Sequence, residues 1–364
     1  MHRRTLLLSI AGWPALATAQ ARATAPGAAP PALRFPADFG AHPETRTEWW
    51  YVTGTLTSGA RLWGFQVTFF RSATGLATSP PSRFDAAQLL FAHAALTDLE
   101  PGRLRHDQRI ARSGFGIAQA LIGDTGITLR DWQLHRVASP GDLRFSRYTA
   151  RIASDSAGFA FDLQFDATQP VLLQGVAGVS KKGPADEHSS RYYSEPQLAV
   201  QGTLTLDGKR LAVQGRAWLD HEWSESFVPP QAVGWDWVGM NLDDGSALTA
   251  FRLRRADGSS LYAGGSFRRV GEPARIFGPH EVAFTPGRVW ESVGSRARYP
   301  VQWTIATPVG RFGVNALLDD QELDSRTSTG AIYWEGVSDL HMEDGRRVGR
   351  GYLEMTGYAA PLRL

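Results

Sequence analysis

The chain contains no cysteine. Disulfides, thiolate metal ligands and a cysteine nucleophile are therefore excluded, as is a lipid-modified cysteine behind an export signal. Stability has to come from hydrophobic cores alone. Lysine is scarce too, with three residues against 35 arginines, and asparagine occurs only twice. That skew reads as coding bias, so a pI near 9.0 says little about function. Beyond the N-terminus no apolar run approaches the roughly 20 residues needed to cross a bilayer. Sustained helical periodicity is also missing, and the best candidates for a short helix are Arg83 to Phe91 and Ile117 to Leu121.

Several reaction signatures are absent. There is no G-x-S-x-G elbow, which argues against a serine hydrolase. "GTLTLDGKR" (202–210) has the wrong spacing for a phosphate-binding loop and lacks the Ser/Thr that would hold magnesium, and no dinucleotide fingerprint occurs. "HEWSE" (221–225) supplies no second histidine four residues on, so it is not the helical zinc motif. No metal and no cofactor are expected.

What is present begins with "MHRRTLLLSIAGWPALATAQARA", a basic start, an apolar run from Leu6 to Ala17 and small residues suited to cleavage. Residues 1–23 read as an export signal, and the Arg3-Arg4 pair resembles a twin-arginine signal. A periplasmic or secreted location is expected. Cleavage would remove three arginines, taking the formal balance from 38 − 36 = +2 to 35 − 36 = −1. A nearly neutral chain without a membrane span makes nucleic acid an improbable partner.

The remaining length suits two domains. Residues 24–39, rich in Pro and Ala, read as a linker; 40–227 and 228–364 form the two halves, with a boundary near Phe227-Val228-Pro229-Pro230. Short aromatic and β-branched segments alternate with the turns Ser58-Gly59, Asp207-Gly208, Asp244-Gly245, Asp257-Gly258 and Asp344-Gly345, the signature of an all-β chain. The halves are related. "WWYVTGTLTSGARLWGFQV" (49–67) aligns without a gap on "WDWVGMNLDDGSALTAFRL" (235–253) at an offset of 186, with six identities that include Leu62/Leu248 and Phe65/Phe251. A weaker echo joins 198–223 to 332–358 and sets Asp220-His221-Glu222 against Thr356-Gly357-Tyr358, which has no ionisable group. The expectation is two lipocalin-like antiparallel β-barrel or sandwich domains produced by internal duplication.

"HPETRTEWWYVTGTL", "GFQVTFFR", "FAHAALTD", "PVLLQGVAGVSKKG", "SSRYYS", "WLDHEW", "GWDWVGMNLDDGSAL", "YWEG" and "GYLEMTGY" occur in this order over about residues 40–360. Together they resemble the AttH and carotenoid 1,2-hydratase family, whose members are exported, carry two lipocalin-like domains and are often labelled secreted hydrolases. The resemblance implies either hydratase or related rearrangement activity on an isoprenoid-like molecule, or a non-catalytic lipid carrier or chaperone serving an envelope transport complex. It also implies an acid/base role for His221 and cation stabilisation by Trp223, from the family's H-x-W element. The family's Tyr-x-Asp proton donor has no counterpart in Ala247 to Leu253. That role falls to Asp236, Asp220 or Glu222, or is left without an occupant.

Hydrating an alkene needs an acid, aromatic faces for the cation and a placed water. If "WLDHEW" (218–223) is a strand, Trp218, Asp220 and Glu222 share one face while Leu219, His221 and Trp223 share the other. Asp220, His221, Glu222 and Asp236 are the candidate catalytic residues. Candidate ligand contacts are Trp223, Trp235, Trp237, Trp50, Tyr51, His93, Tyr192 and Tyr193, although repeated aromatics also pack barrels. Glu44, Arg46 and Glu48 suit an ion-pair network at a barrel mouth. The charged triplet precedes the boundary, so an apolar isoprenoid, polyene or lipid is expected near the domain junction, in an interdomain crevice.

Overall fold

The structure is a computed structural model that describes residues 32–362, apart from 77–84, 140–141, 143–144 and 226–227. The expected signal segment and Phe227 lie outside these residues. Two large antiparallel sheets make up the fold. One has thirteen strands between Thr47 and Ser224 and curls into a nearly closed barrel; the other has ten between Gly234 and Met355. Among the described residues the only helical element is the 3-10 turn Ala37–Phe39, whose Phe39 is buried in the first barrel's core. Neither candidate segment is helical among the described residues; Arg83 and Phe84 lie outside them. Gln88–Asp98 is already extended before Phe91, and Ala118–Ala120 replaces a helix at 117–121. Ile117 and Leu121 are both exposed, so that segment has no apolar face to bury as a helix.

All five expected turns connect strands, and each glycine takes a positive φ, from 60° at Gly59 to 85° at Gly245. That conformation is nearly free of steric cost only for glycine.

Strand alternation partitions the side chains. On Thr47–Ser58, Trp50, Val52 and Leu56 enter the first barrel, while Trp49 and Tyr51 face the second sheet. On Lys209–Ser224, Leu219 and Trp223 point into the barrel, and Trp218 joins Tyr51, Trp237, Phe251 and Tyr352 between the sheets. A bulge between Glu195 and Leu198 locks this packing. Gln197, at φ 59°, donates its backbone N–H to Asn241 Oδ1 (2.8 Å) and its amide to Leu242 and Ser246 carbonyls (2.9 and 2.7 Å). Asn241 in turn donates to the Ala217 carbonyl at 3.0 Å.

The duplication is present, with a different register from the one read off the sequence. Tyr51 pairs with Asp220, and Trp237, 186 residues after Tyr51, pairs with Glu354. The counterpart of Asp220-His221-Glu222 is therefore Glu354-Met355-Thr356, and the second half does carry a carboxylate. Aligning the Asp-Gly turns misleads because the strand that leaves the second turn is shorter: Asp220 follows Lys209 by eleven residues, and Glu354 follows Arg347 by seven. Asp344 follows Asp207 by 137 residues, but Glu354 follows Asp220 by 134. The opening hairpin slips likewise. Val52 pairs with Val67 and Val238 with Ala250, so Phe65 corresponds to Leu248 and Phe251 to Thr68.

Candidate functional site

The sheets pack through one face of each and enclose a cavity of about 340 Å³, within the size range of small-molecule sites. Nine aromatic residues line it: Trp49, Tyr51, Phe70, Phe91, Tyr192, Trp235, Trp237, Phe251 and Tyr333. Among the polar groups on the lining are Gln66, His93, Lys182, Asp220, Glu222, Glu335 and Glu354, and the Glu48–Arg71 pair also reaches it. All but Lys182, which directly follows the strand Val179–Lys181, are held by strands, which fixes their positions.

Asp220 accepts from Trp218 Nε1 at 2.7 Å, Ser194 Oγ at 2.5 Å and Tyr192 Oη at 2.8 Å. Burial nevertheless raises its pKa to about 7, with the Glu222 charge adding to the rise and the three donors opposing it. Glu354 also reaches about 7, chiefly through burial, with Asp220 and Glu222 raising it and Lys182 lowering it. Two carboxyls at equivalent strand positions thus face one cavity, sense each other, and titrate near neutrality. Such a pair is suited to hold a proton and pass it on.

Lys182 Nζ lies 2.9 Å from Glu222 Oε1 and over the rings of Tyr192 (4.6 Å) and Phe251 (4.4 Å). Ser190 Oγ also donates to Glu222. At the other end, His93 Nδ1 is 2.8 Å from Tyr333 Oη and its Nε2 is 2.9 Å from Ser328 Oγ. Burial drops the His93 pKa to about 3, with His106 contributing, so His93 is neutral.

The remaining candidates lie elsewhere. His221 points into the first barrel, where Nε2 meets Glu48 Oε1 at 2.9 Å and Nδ1 meets Tyr193 Oη at 3.1 Å. Trp50 stacks on its ring at 4.5 Å, and Trp223 lies 4.8 Å from His221 and stacks on His42 at 3.8 Å. His221, Trp223, Trp50 and Tyr193 therefore form one cluster on the barrel side of the strands, and Asp220, Glu222, Tyr51 and Tyr192 another on the cavity side. Asp236 lies in the second sheet, held by Arg252 Nε at 2.7 Å, Arg254 Nε at 3.1 Å and Tyr358 Oη at 2.8 Å.

Glu48 organises the barrel-side cluster. It accepts from His42 Nδ1 (2.8 Å) and Arg71 Nε (2.7 Å) besides His221. Burial would raise its pKa, but the bonds from His221 and His42 outweigh that and bring it to about 2. His221 is lowered by burial, while at His42 the Glu48 and Asp38 bonds outweigh burial and raise the pKa. The ligand atoms of His42, Glu48 and His221 lie within 4.8 Å of one another, and two imidazoles with a carboxylate are a donor set that suits transition metals. Here the Glu48 oxygens are taken up by the imidazole and guanidinium donors, so hydrogen bonding already accounts for the arrangement.

Sequence reasoning missed Glu354, Glu335, Tyr333 and Gln66. The first was within reach, because Trp237 repeats Tyr51 and so its cross-strand partner repeats Asp220. Gln66, Tyr333 and Glu335 became neighbours only through the packing of one sheet on the other.

The profile of the AttH-like family matches residues 26–358. A crystal structure described as AttH from Nitrosomonas europaea superposes with a TM-score of 0.82 at 44% identity, covering 92% of this chain and 98% of that one. Kievitone hydratase from Nectria haematococca shares the fold, with a TM-score of 0.68 at 17% identity over 91% of this chain and 94% of the other. By sequence, the chain is 24% identical over 189 residues to kievitone hydratase of Fusarium solani subsp. phaseoli, a match covering 50% of this chain and 52% of that protein. It is 23% identical over 167 residues to the dehydratase asqC of Emericella nidulans, covering 44% and 46%. The matches span about half the length of these two curated relatives. At the level of the family, hydro-lyase-like activity is supported by these relatives. The protein belongs to the AttH-like family.

Proposed function

We propose that the protein is a hydro-lyase that adds water to, or removes it from, a largely apolar isoprenoid- or lipid-like molecule bound in the cavity between the sheets. The observation that carries this reading is the pair Asp220 and Glu354, facing one aromatic cavity with pKa values near 7. Hydration of a carbon–carbon double bond proceeds by proton transfer to one carbon, capture of the cation at the other by water, and loss of a proton from the added water. Glu354 is the proton donor in this scheme. Glu354 takes a hydrogen bond from Trp235, whereas Asp220 accepts three, from Tyr192, Ser194 and Trp218, which favour its charged form. Asp220, buttressed by three donors, is the carboxylate that takes the proton from water. Trp235, Trp237 and Phe251 present faces that attract the developing cation. The reverse sequence is dehydration. Reading residues 1–23 as an export signal, we further propose that this chemistry takes place in the cell envelope.

The test is to incubate purified protein with prenylated, polyene and fatty-acyl compounds and to analyse products by mass. Gain or loss of one water in the wild type, abolished in Glu354→Gln with the fold intact, supports the reading. Tight binding without any product overturns it in favour of a carrier.

A further inference from the structure

One wall of the cavity, away from the Lys182–Glu222 ion pair, holds more hydrogen-bonding capacity than the protein uses. Glu335 sits beside Tyr51 and pairs across its strand with Glu354. Gln66 Nε2 donates to Glu335 Oε2 (2.8 Å), Tyr333 Oη (3.1 Å) and Thr68 Oγ1 (3.0 Å). Three buried atoms lack a hydrogen bond of full geometry: Gln66 Oε1 has none, and Tyr51 Oη and Glu335 Oε1 interact with each other without completing one. Exchanging the amide atoms of Gln66 would not remove the surplus, since the other end of the amide would then be unpaired. Leaving buried polar groups short of partners is destabilising, so this wall carries a debt. The debt is removed if the ligand itself brings the partner.

We infer that Tyr51, Gln66 and Glu335 form a polar subsite that binds an uncharged hydroxyl group of the ligand. A hydroxyl both donates and accepts, matching a wall with an amide or carboxyl oxygen to accept and a phenol to donate. Burial pushes the Glu335 carboxyl well above its usual range, with Glu354 adding to the effect, which favours a neutral, polar wall. A carboxylate would be buried here without a countercharge, because Lys182 is committed to Glu222 and Arg71, also on the lining, to Glu48. The ligand class is therefore an apolar chain or ring system bearing an alcohol or phenol, as opposed to a pure hydrocarbon or a fatty acid. This deepens the hydro-lyase reading and rests on it only for the cavity being the substrate site.

The experiment is a binding measurement, independent of turnover. Farnesol, its methyl ether and the corresponding carboxylate are titrated into the full protein by calorimetry at constant pH. The alcohol should bind about tenfold more tightly than the ether, which lacks the donor, and more tightly than the carboxylate. Glu335→Leu and Gln66→Leu should each abolish that preference while leaving ether affinity unchanged, and Glu335→Gln should retain most of it. Glu354→Gln should keep the preference even where turnover is lost, which separates the two readings. Equal affinities for alcohol and ether in the wild type, no binding of the alcohol, or a preference that survives both leucine variants would overturn the assignment.

Discussion

Asp220 and Glu354 occupy one position in two copies of the same strand pair, Asp220 opposite Tyr51 and Glu354 opposite Trp237. Because the two sheets pack through corresponding faces, the duplicated carboxyls arrive in a single cavity. Neither half alone brings two such carboxyls into one aromatic enclosure. Within the duplicated frame the partners diverge, with Ser194 across from Asp220 and Glu335 across from Glu354. The divergence provides an acid with few fixed partners on one side and a buttressed carboxylate on the other.

If Glu354 is the proton donor, Glu354→Gln should lower turnover by roughly a hundredfold or more, the scale of general acid–base catalysis. Asp220→Asn should lower it at least about tenfold, with circular dichroism unchanged for both. The wild-type rate should peak near neutrality and fall on both sides, since the coupled pair must hold one proton between them.

Lys182 tunes that profile without supplying a proton. Its charge lowers the Glu354 pKa, so Lys182→Met should raise it and move the alkaline limb of the pH–rate profile upward. A limb that stays in place while only the rate falls would mean that Lys182 merely supports the wall. Rate against pH over the range 5 to 9 decides between the two.

Stability should also depend on pH. Asp220 and Glu354 have folded-state pKa values near 7, above their values of 3.8 and 4.5 in the absence of structure. Between those limits the folded protein holds protons that the unfolded chain has released, so stability falls as pH rises from about 4 to 7. Denaturant melts should show a loss on the order of a few kcal/mol across this range, reduced in Asp220→Asn. Glu48 acts in the opposite direction: its depressed pKa contributes stability above about 4.5 that disappears as pH falls toward 2.

In the proposed scheme His221, on the barrel side of its strand, serves structure and not proton transfer. His221→Leu would strip a partner from Glu48 and another from Tyr193, costing about 2 kcal/mol or more. Turnover per folded molecule should fall much less than in Glu354→Gln. Activity normalised to the folded fraction by titration of tightly bound ligand measures the difference.

Much of the fold was legible because its signals are local. The Gly-bearing turns, the alternating segments and the Trp-rich opening hairpin each specify β structure within a dozen residues. The separation of Asp220 and Glu222 from His221 followed from strand geometry alone. Glu354 is obscured in the sequence because the strand between the closing turn and the carboxyl is shorter in the second half, which shifts the apparent alignment off it. Gln66, Tyr333 and Glu335 carry no motif at all. The first is separated from the other two by some 270 residues, and only the face-to-face packing of the sheets, pinned by the Gln197–Asn241 contact, brings them together.

The most direct measurement is product analysis in water enriched with oxygen-18, using a hydroxyl-bearing isoprenoid as substrate. The wild type should incorporate one labelled oxygen per product, His221→Leu should retain the reaction in its folded fraction, and Glu354→Gln should lose it while still binding substrate. Labelled product formed undiminished by Glu354→Gln, or none formed by a wild type saturated with ligand, would contradict the assignment of the cavity carboxyls to catalysis.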